Sequence, residues 1–411
     1  MKKPILSILL SLALGGACAY GATHSVGAGE SIQTAINGAS NGDTIVLTAP
    51  ADYDGNVTIA GKALRIVSLY RNNHDVTGSI SISAVPAGQS VTFKNLSVSG
   101  PVSATDSSLN LLRCTMGQEV NATNPGNANT QLAVVQSALT GKLHSTLTRT
   151  WVGYSDLRQS YFEGQVEIVG NIFNGSGFGG IGIDLNGSST VASVHNNIIK
   201  NYSGVYGSIS NKCIGIKVDG RAKSNIKNNF INNCFDAGEG GTEYFSGIGI
   251  FIKDSSACTI SSNQIWNNYV RRGGEDNHNY VEFGNVNIWA DSSVRVEYNS
   301  LHRHGDNLSE VRGGATNLYS IASNQSQAHT QFLVSPSELM RGKAGKDAGS
   351  PKDRDKDHDG SRNDIGPNGG RNYIPNGRTT DKPIPISFTV APQVVPVGGT
   401  ITIESTGVTI K

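Results

Sequence analysis

Four stretches of the chain can be laid over one another: IGIDLNGSSTVASVHNNII from Ile181, IGIKVDGRAKSNIKNNFI from Ile214, IGIFIKDSSACTISSNQI from Ile248 and VNIWADSSVRVEYNSL from Val286. Each opens on two aliphatic residues separated by one residue. A polar turn and a second short run follow, ending in Asn, one residue and an aliphatic. Alternation at period two predicts short β-strands rather than helices. Self-similarity at a fixed interval predicts a solenoid, in which each unit buries its apolar face on its neighbours.

The register places Asn197, Asn229, Asn263 and Asn299 at one position, with Ile199, Ile231, Ile265 and Leu301 two residues on. Val194, Ile226, Ile260 and Val296 supply the strand before each Asn. A stacked side-chain amide can donate to one layer and accept from the other, so it satisfies a buried turn at the ~4.8 Å strand spacing. Extended backward, the same position falls on Asn171, Ser155, Ser137, Cys114 and Asn95, and forward on Asn324. The expectation is an all-β, right-handed parallel β-helix of about ten coils, on the order of 48 Å long.

The ladder also measures the coils. Steps from 95 through 114, 137 and 155 to 171 run from 16 to 23 residues; those through 197, 229 and 263 to 299 run from 26 to 36. The added residues follow the aliphatic after each Asn, which predicts loops at 200–213, 232–247, 267–285 and 302–315 on one side of the C-terminal half. Insertions on one face of a repeat protein often mark the binding face.

Both ends fit a capped rod. Glu30 to Ala39 reads as an amphipathic helix with Ile32, Ala35, Ile36 and Ala39 on one face. The stretch ESIQTAINGASNGDTIVLTAPADYDGNVTI resembles the entry of bacterial pectin-lyase-like β-helix proteins, and DAGSPKDRDKDHDGSRNDIGPNGG, from Asp347 to Gly370, resembles the tail that often follows such helices. The resemblance covers roughly residues 25 to 370. It implies the fold and a secreted carbohydrate-active or carbohydrate-binding role, but no single activity, because the family includes lyases, hydrolases, epimerases and non-catalytic members. The Asn-Thr-Asp, double-Asp and Arg-Ile-Lys motifs of polygalacturonases are missing; only His304-Gly305 echoes their Gly-His-Gly. The Arg-x-Pro-x-x-Arg pattern of pectate lyases is also missing.

Composition narrows this reading. With 37% hydrophobic residues, 50 glycines and a formal net charge of +1, the chain suits a thin-cored solenoid and has no global pull toward nucleic acid. Lys2, Lys3, the apolar run Ile5 to Leu14 and Ala17-Cys18-Ala19 read as a signal peptide within residues 1–22, with Cys18 as an alternative lipidation site. No later run is long and apolar enough to span a bilayer. The expected divisions are the β-helix at 23–340, a calcium-loop-like segment at 341–378 and a strand-rich tail at 379–411.

Candidate chemistry gathers in the C-terminal half. A column of Gly182, Gly215, Gly249 and Asn287 is expected to face outward as a flat strip. Beside it, Asp184, Lys217, Phe251 and Trp289 form a second column. Phe251 and Trp289 would stack on sugar rings, or the loops would cover them as a satellite core. Arg271, Arg272 and His278 in one loop and His302, His304, Asp306 and Arg312 in the next offer cations for uronate or sulfate and acid–base groups for elimination or hydrolysis. In register, His302 follows Trp266, which follows Asn232. Asp355, Asp357, Asp359 and Asp364 around Gly360 resemble a calcium loop, with a solvated acidic linker as the alternative. Four cysteines after the signal allow three pairings, and Cys213 with Cys234, at the mouth of one loop, is the favoured disulfide. The expected protein is a monomer that recognises an acidic polysaccharide, with structural calcium. A non-catalytic adhesin or envelope scaffold is the rival class.

Overall fold

The computed structural model describes residues 21–70, 75–126, 129–176, 180–204, 213–236, 248–253, 257–266, 269–273, 280–290, 294–302, 311–312, 318–322, 325–327, 346–352, 355–371, 374, 376–391 and 402–408. Residues 1–20, within the signal peptide expected at 1–22, lie outside them. The described strands form one 13-stranded sheet, one 21-stranded sheet and a two-stranded tail hairpin. Coil-to-coil pairing is parallel from Thr23–Val26 through to Leu318–Ala322, which is the parallel β-helix expected from the repeat. The smaller sheet has three rungs ahead of Ser90–Lys94, namely Thr23–Val26, Thr44–Leu47 and Arg65–Ser68, so the stack is about 58 Å long at the strand spacing. Among the described residues no helix is long and apolar enough to cross a membrane.

The one described helix, α1 (Ile32–Gly38), starts at Ser31, whose hydroxyl accepts from Thr34 N. Ile32, Ile36 and Ala39 are buried, and Gln33 makes two hydrogen bonds to the Thr58 backbone. The helix therefore packs against the first strands of both sheets.

The ladder is continuous from Asn171 to Asn299. Each Asn Nδ2 donates to the next Asn Oδ1, at 3.0 Å for Asn171–Asn197, Asn197–Asn229 and Asn229–Asn263 and at 3.1 Å for Asn263–Asn299. The same oxygen accepts the backbone N–H of the preceding coil, and Nδ2 also reaches a carbonyl such as Val194 O or Ile226 O. Ser137 and Ser155 keep the acceptor role, taking the N–H of Cys114 and Ser137 at 3.0 Å. One sequence assignment changes. Thr115 pairs with Ser97, so Leu96 and not Asn95 is in register with Cys114. Asn95 is the residue before, with φ 55°. Asn324 lies outside the described residues.

Asn95 belongs to a second column. Arg113, Gln136, Tyr154, Asn196, Asn228, Ser262 and Tyr298 each precede a ladder residue and each have positive φ, between 48° and 59°. The left-handed conformation makes the sharp corner between the two sheets and costs a non-glycine residue about 1–2 kcal/mol. Here the corner side chains gain partners from the tail, which runs back along them toward the N-terminus. Lys352 meets Glu297, and Arg362 lies over Tyr298. Ser262 Oγ accepts from Ser350 N and Asn363 Nδ2. Asn228 bonds Asn363 and Asp364 O, and Asn196 bonds Pro367 O and Gly369 O. The Tyr154 ring lies between Gly170 and Gly377, neither of which has room for a Cβ. Gln136 donates to Gly377 O and Thr380 O, and Arg113 pairs with Asp381. The strap ends where Ile384 and its neighbour Ile386 pack on Leu112, Val135, Trp151 and Val169, an apolar patch on the outer face of the smaller sheet. The described residues from Lys346 to Ile386, within the tail segments expected at 341–378 and 379–411, thus run as one strap along the solenoid.

Asn229→Ala removes an acceptor for two buried donors and a donor to Val194 O, Lys227 O and Asn263 Oδ1. Two or more orphaned groups at ~1–3 kcal/mol each give an expected loss of about 3 kcal/mol or more, read as a lower urea midpoint.

Candidate functional site

In the larger sheet one side-chain position repeats on the outer face from coil to coil. The register runs Asn121, His144, Tyr161, Asp184, Lys217, Phe251, Trp289 and Arg312. It begins on Thr58, Ser81 and Ser103, which offer only hydroxyls. Alternation sends the flanking residues Leu143, Phe162, Ile183, Leu185, Ile216 and Val218 into the core, so the column faces out.

The glycine strip is not where the simple alternation puts it. A Cβ on Gly182 would meet the Tyr202 ring, and one on Gly215 would meet Ile231 and Cys234. Those glycines face the core and make room for side chains from the next strand. The outer position falls instead on the first aliphatic of each repeat. Ile214 and Ile248, with Ile181 packed against them, form a cluster separate from the main core that also holds Phe251. Phe251 is 6% exposed and offers no open stacking face.

The middle of the column carries the chemistry. His144 meets the Tyr161 ring edge-on, with centroids 4.8 Å apart and planes at 89°. Lys142 Nζ lies 5.7 Å from the same ring's centroid, and Tyr161 donates its hydroxyl to Glu163 at 2.5 Å. Two rungs on, Lys217 bridges two carboxylates, 2.9 Å from Asp219 and 3.6 Å from Asp184. Burial, aided by Lys142, pushes His144 below the ordinary imidazole range. Burial and the Glu163 carboxylate hold the Tyr161 hydroxyl protonated well above its usual range. Burial also raises Asp184, outweighing Lys217. Burial opposes the Lys217 charge, but the Asp219 hydrogen bond and Asp184 prevail and raise it. Burial likewise opposes ionisation of Asp219, yet Lys217 and the Gly220 N–H bring it below the usual carboxylate range. The outcome is a neutral His–Tyr pair beside one firm ion pair and one carboxyl poised to protonate.

The expected residues divide as follows. Lys217 stands in the column as placed, and Trp289 and Arg312 occupy its next two rungs by backbone register. Trp266 pairs with Asn232 and His302 with Trp266, again by backbone. Arg271 and Arg272 sit not on a loop but on Tyr269–Gly273, a strand antiparallel to Tyr280–Ala290, with Glu282 and Val281 as cross-strand neighbours. His278, His304 and Asp306 lie outside the described residues. His144, Tyr161 and Glu163 went unread because their coils lack the Ile-Gly-Ile marker. Carrying the column backward through Leu143-His144-Ser145 and Ser160-Tyr161-Phe162 would have found them.

Among the described residues no three His, Cys, Asp or Glu side chains stand together as a metal site. Asp355 accepts from Ser350 Oγ at 2.8 Å and lies 4.0 Å from Lys227 Nζ. Asp357 accepts from the N–H of Asp364 and Gly370, and Asp359 from Ser361. Burial, with the charges of neighbouring acids, raises Asp357 and Asp364. The expected disulfide is not formed: Cys213 and Cys234 stand as thiols, as do Cys114 and Cys258, and all four are buried. Each of the first two faces the core from its own strand, Cys213 opposite Gly180 and Cys234 opposite Tyr202.

No family model, curated protein or solved structure matches the chain.

Burial pushes Cys114 and Cys258 up to about 12 and Cys234 higher still. Because the thiolate is the reactive species, these thiols resist a thiol reagent at about pH 8 while the chain is folded and react once it unfolds. Fast labelling of the folded protein at Cys213 or Cys234, mapped by mass spectrometry, would count against this packing.

Proposed function

We propose that this chain is an exported carbohydrate-binding or carbohydrate-active β-helix protein that takes an acidic polysaccharide lengthwise along the outward column of the larger sheet. The observation that carries the reading is the column itself: ring, carboxyl and ammonium groups repeat along the solenoid axis at the ~4.8 Å coil step, which suits an extended polymer of sugar rings. Tyr161 and His144 give planar surfaces for ring CH groups. Lys142 and Lys217, with Arg271, Arg272 and Arg312 toward the C-terminal end, give partners for uronate or sulfate. Neutral His144 supplies a base, and the raised Asp184 carboxyl a proton donor, for elimination or hydrolysis.

A panel of acidic polysaccharides separates the outcomes, with binding, reducing ends and unsaturated products read together. Turnover weakened by His144→Ala supports an enzyme. Binding without turnover, weakened by the same variant, supports a binding module. No binding leaves the rival scaffold reading in its place.

The titrations give a direction. As pH falls from about 7 toward the ordinary carboxyl range near ~4, Asp184 takes its proton before an ordinary carboxyl does, which removes a negative charge from the column. His144, held below its usual range, gains charge only at lower pH than an ordinary imidazole does. Both changes favour an anionic ligand, so affinity rises on acidification. Asp184→Asn flattens that rise, as isothermal titration across the interval would show.

Structural calcium in the strap is part of the proposal. It rests on the likeness of Asp355, Asp357, Asp359 and Asp364 around Gly360 to a calcium loop, and binding would exchange their present hydrogen-bond partners for the cation. Calcium titration of the full chain should release heat and raise its melting temperature; an unchanged melting curve with no heat refutes the site.

A further inference from the structure

The outer face of the smaller sheet holds a groove of about 570 Å3 that the polysaccharide reading does not use. Its floor is the column Trp151, Glu167, Ser193 and Asn225, at successive rungs of the register. Its rim is the neighbouring column of Gln131, Arg149, Gln165 and Val191. Ile386 of the strap supplies the facing wall. The groove therefore exists because the strap docks on the Leu112–Val169 patch. Gly153 lets it form, since the Trp151 ring lies across the space its Cβ would fill.

We propose that this groove is a second ligand site, which binds a neutral oligosaccharide independently of the outward column. Three observations select that class. Gln131, Gln165 and Asn225 are exposed planar amides, and each offers a donor beside an acceptor, the match for neighbouring hydroxyls on a sugar. Val191 is one of only three exposed large hydrophobics among the described residues and gives apolar surface for ring CH groups, while Trp151, 7% exposed, lines the groove floor without an open ring face. Arg149 and Glu167 balance, and Glu167 already faces His195 at 3.4 Å, so the groove has no net charge to select an ion. An extended peptide is disfavoured, because the strands of the floor are paired on both sides and leave no free edge.

The test titrates the full-length protein with cellohexaose, xylohexaose and mannohexaose by calorimetry, with tryptophan fluorescence as a second readout. At least one hexasaccharide should bind. Gln165→Ala should weaken it about fivefold, the scale of one lost hydrogen bond. Val191→Glu should abolish it. Both positions are exposed, so unchanged circular dichroism and melting confirm the fold. His144→Ala, which tests the outward column against acidic polymers, should leave neutral-sugar affinity as it was. The proposal fails if none of the three sugars binds, if both rim variants bind normally, or if His144→Ala removes the binding. The first two outcomes leave the column untouched, and the third merges the two sites.

Discussion

The constraint on which this structure depends is the corner where each coil passes from one sheet to the other. Two residues make the turn. The first adopts the left-handed conformation, and the second carries a polar side chain that accepts the backbone N–H of the coil before it. The buried peptide group would otherwise have no partner, at a cost of about 1–3 kcal/mol per coil. The corner also fixes register. A slip of one residue would turn every strand inside out and pull the amide off the ladder, so two penalties of different origin enforce one alignment.

Fixed register is what makes columns, and columns are what make sites. Because the ladder aligns successive coils, His144, Tyr161, Asp184 and Lys217 stack on the larger sheet although they are far apart in sequence. The same alignment gathers Trp151, Glu167 and Asn225 on the smaller sheet and the corner side chains along the edge between them. Each long surface has one character: ionic and aromatic, amide-lined, or strap-binding. A solenoid can carry such surfaces separately because its thin core asks little of the outward positions.

Much of this was legible in the residues, and the failures have physical causes. The Asn positions from 171 to 299 and the Asp184–Lys217–Phe251–Trp289 column follow from alternation. Asn95 misled because asparagine is favoured both at a left-handed corner and on the ladder, and only pairing to Thr115 through Ser97 separates the two. Gly182 and Gly215 misled because glycine says nothing of its direction; Tyr202 and Cys234, which fill the space, stand on the following strand. The strap was illegible for a different reason. Its bonds join residues such as Asn228 and Asn363 across 135 positions through small polar groups with no period.

The strap and the ladder also divide the work of holding the coils. From Asn171 onward the ladder amide both donates and accepts, and there the strap is held by polar contacts at Asn196, Asn228 and Ser262. At Cys114, Ser137 and Ser155 the stacked amides give way to shorter side chains, and the amide-to-amide bond is lost. Those are the coils on which Ile384 docks, since Leu112 and Val135 each stand two residues before their ladder position and Trp151 and Val169 line the same patch. Apolar burial returns roughly 25 cal/mol per Å2 without asking for geometry. The chain therefore adds a non-directional anchor where the directional ladder is weakest, alongside the polar contacts that Gln136 and Arg113 make with the strap.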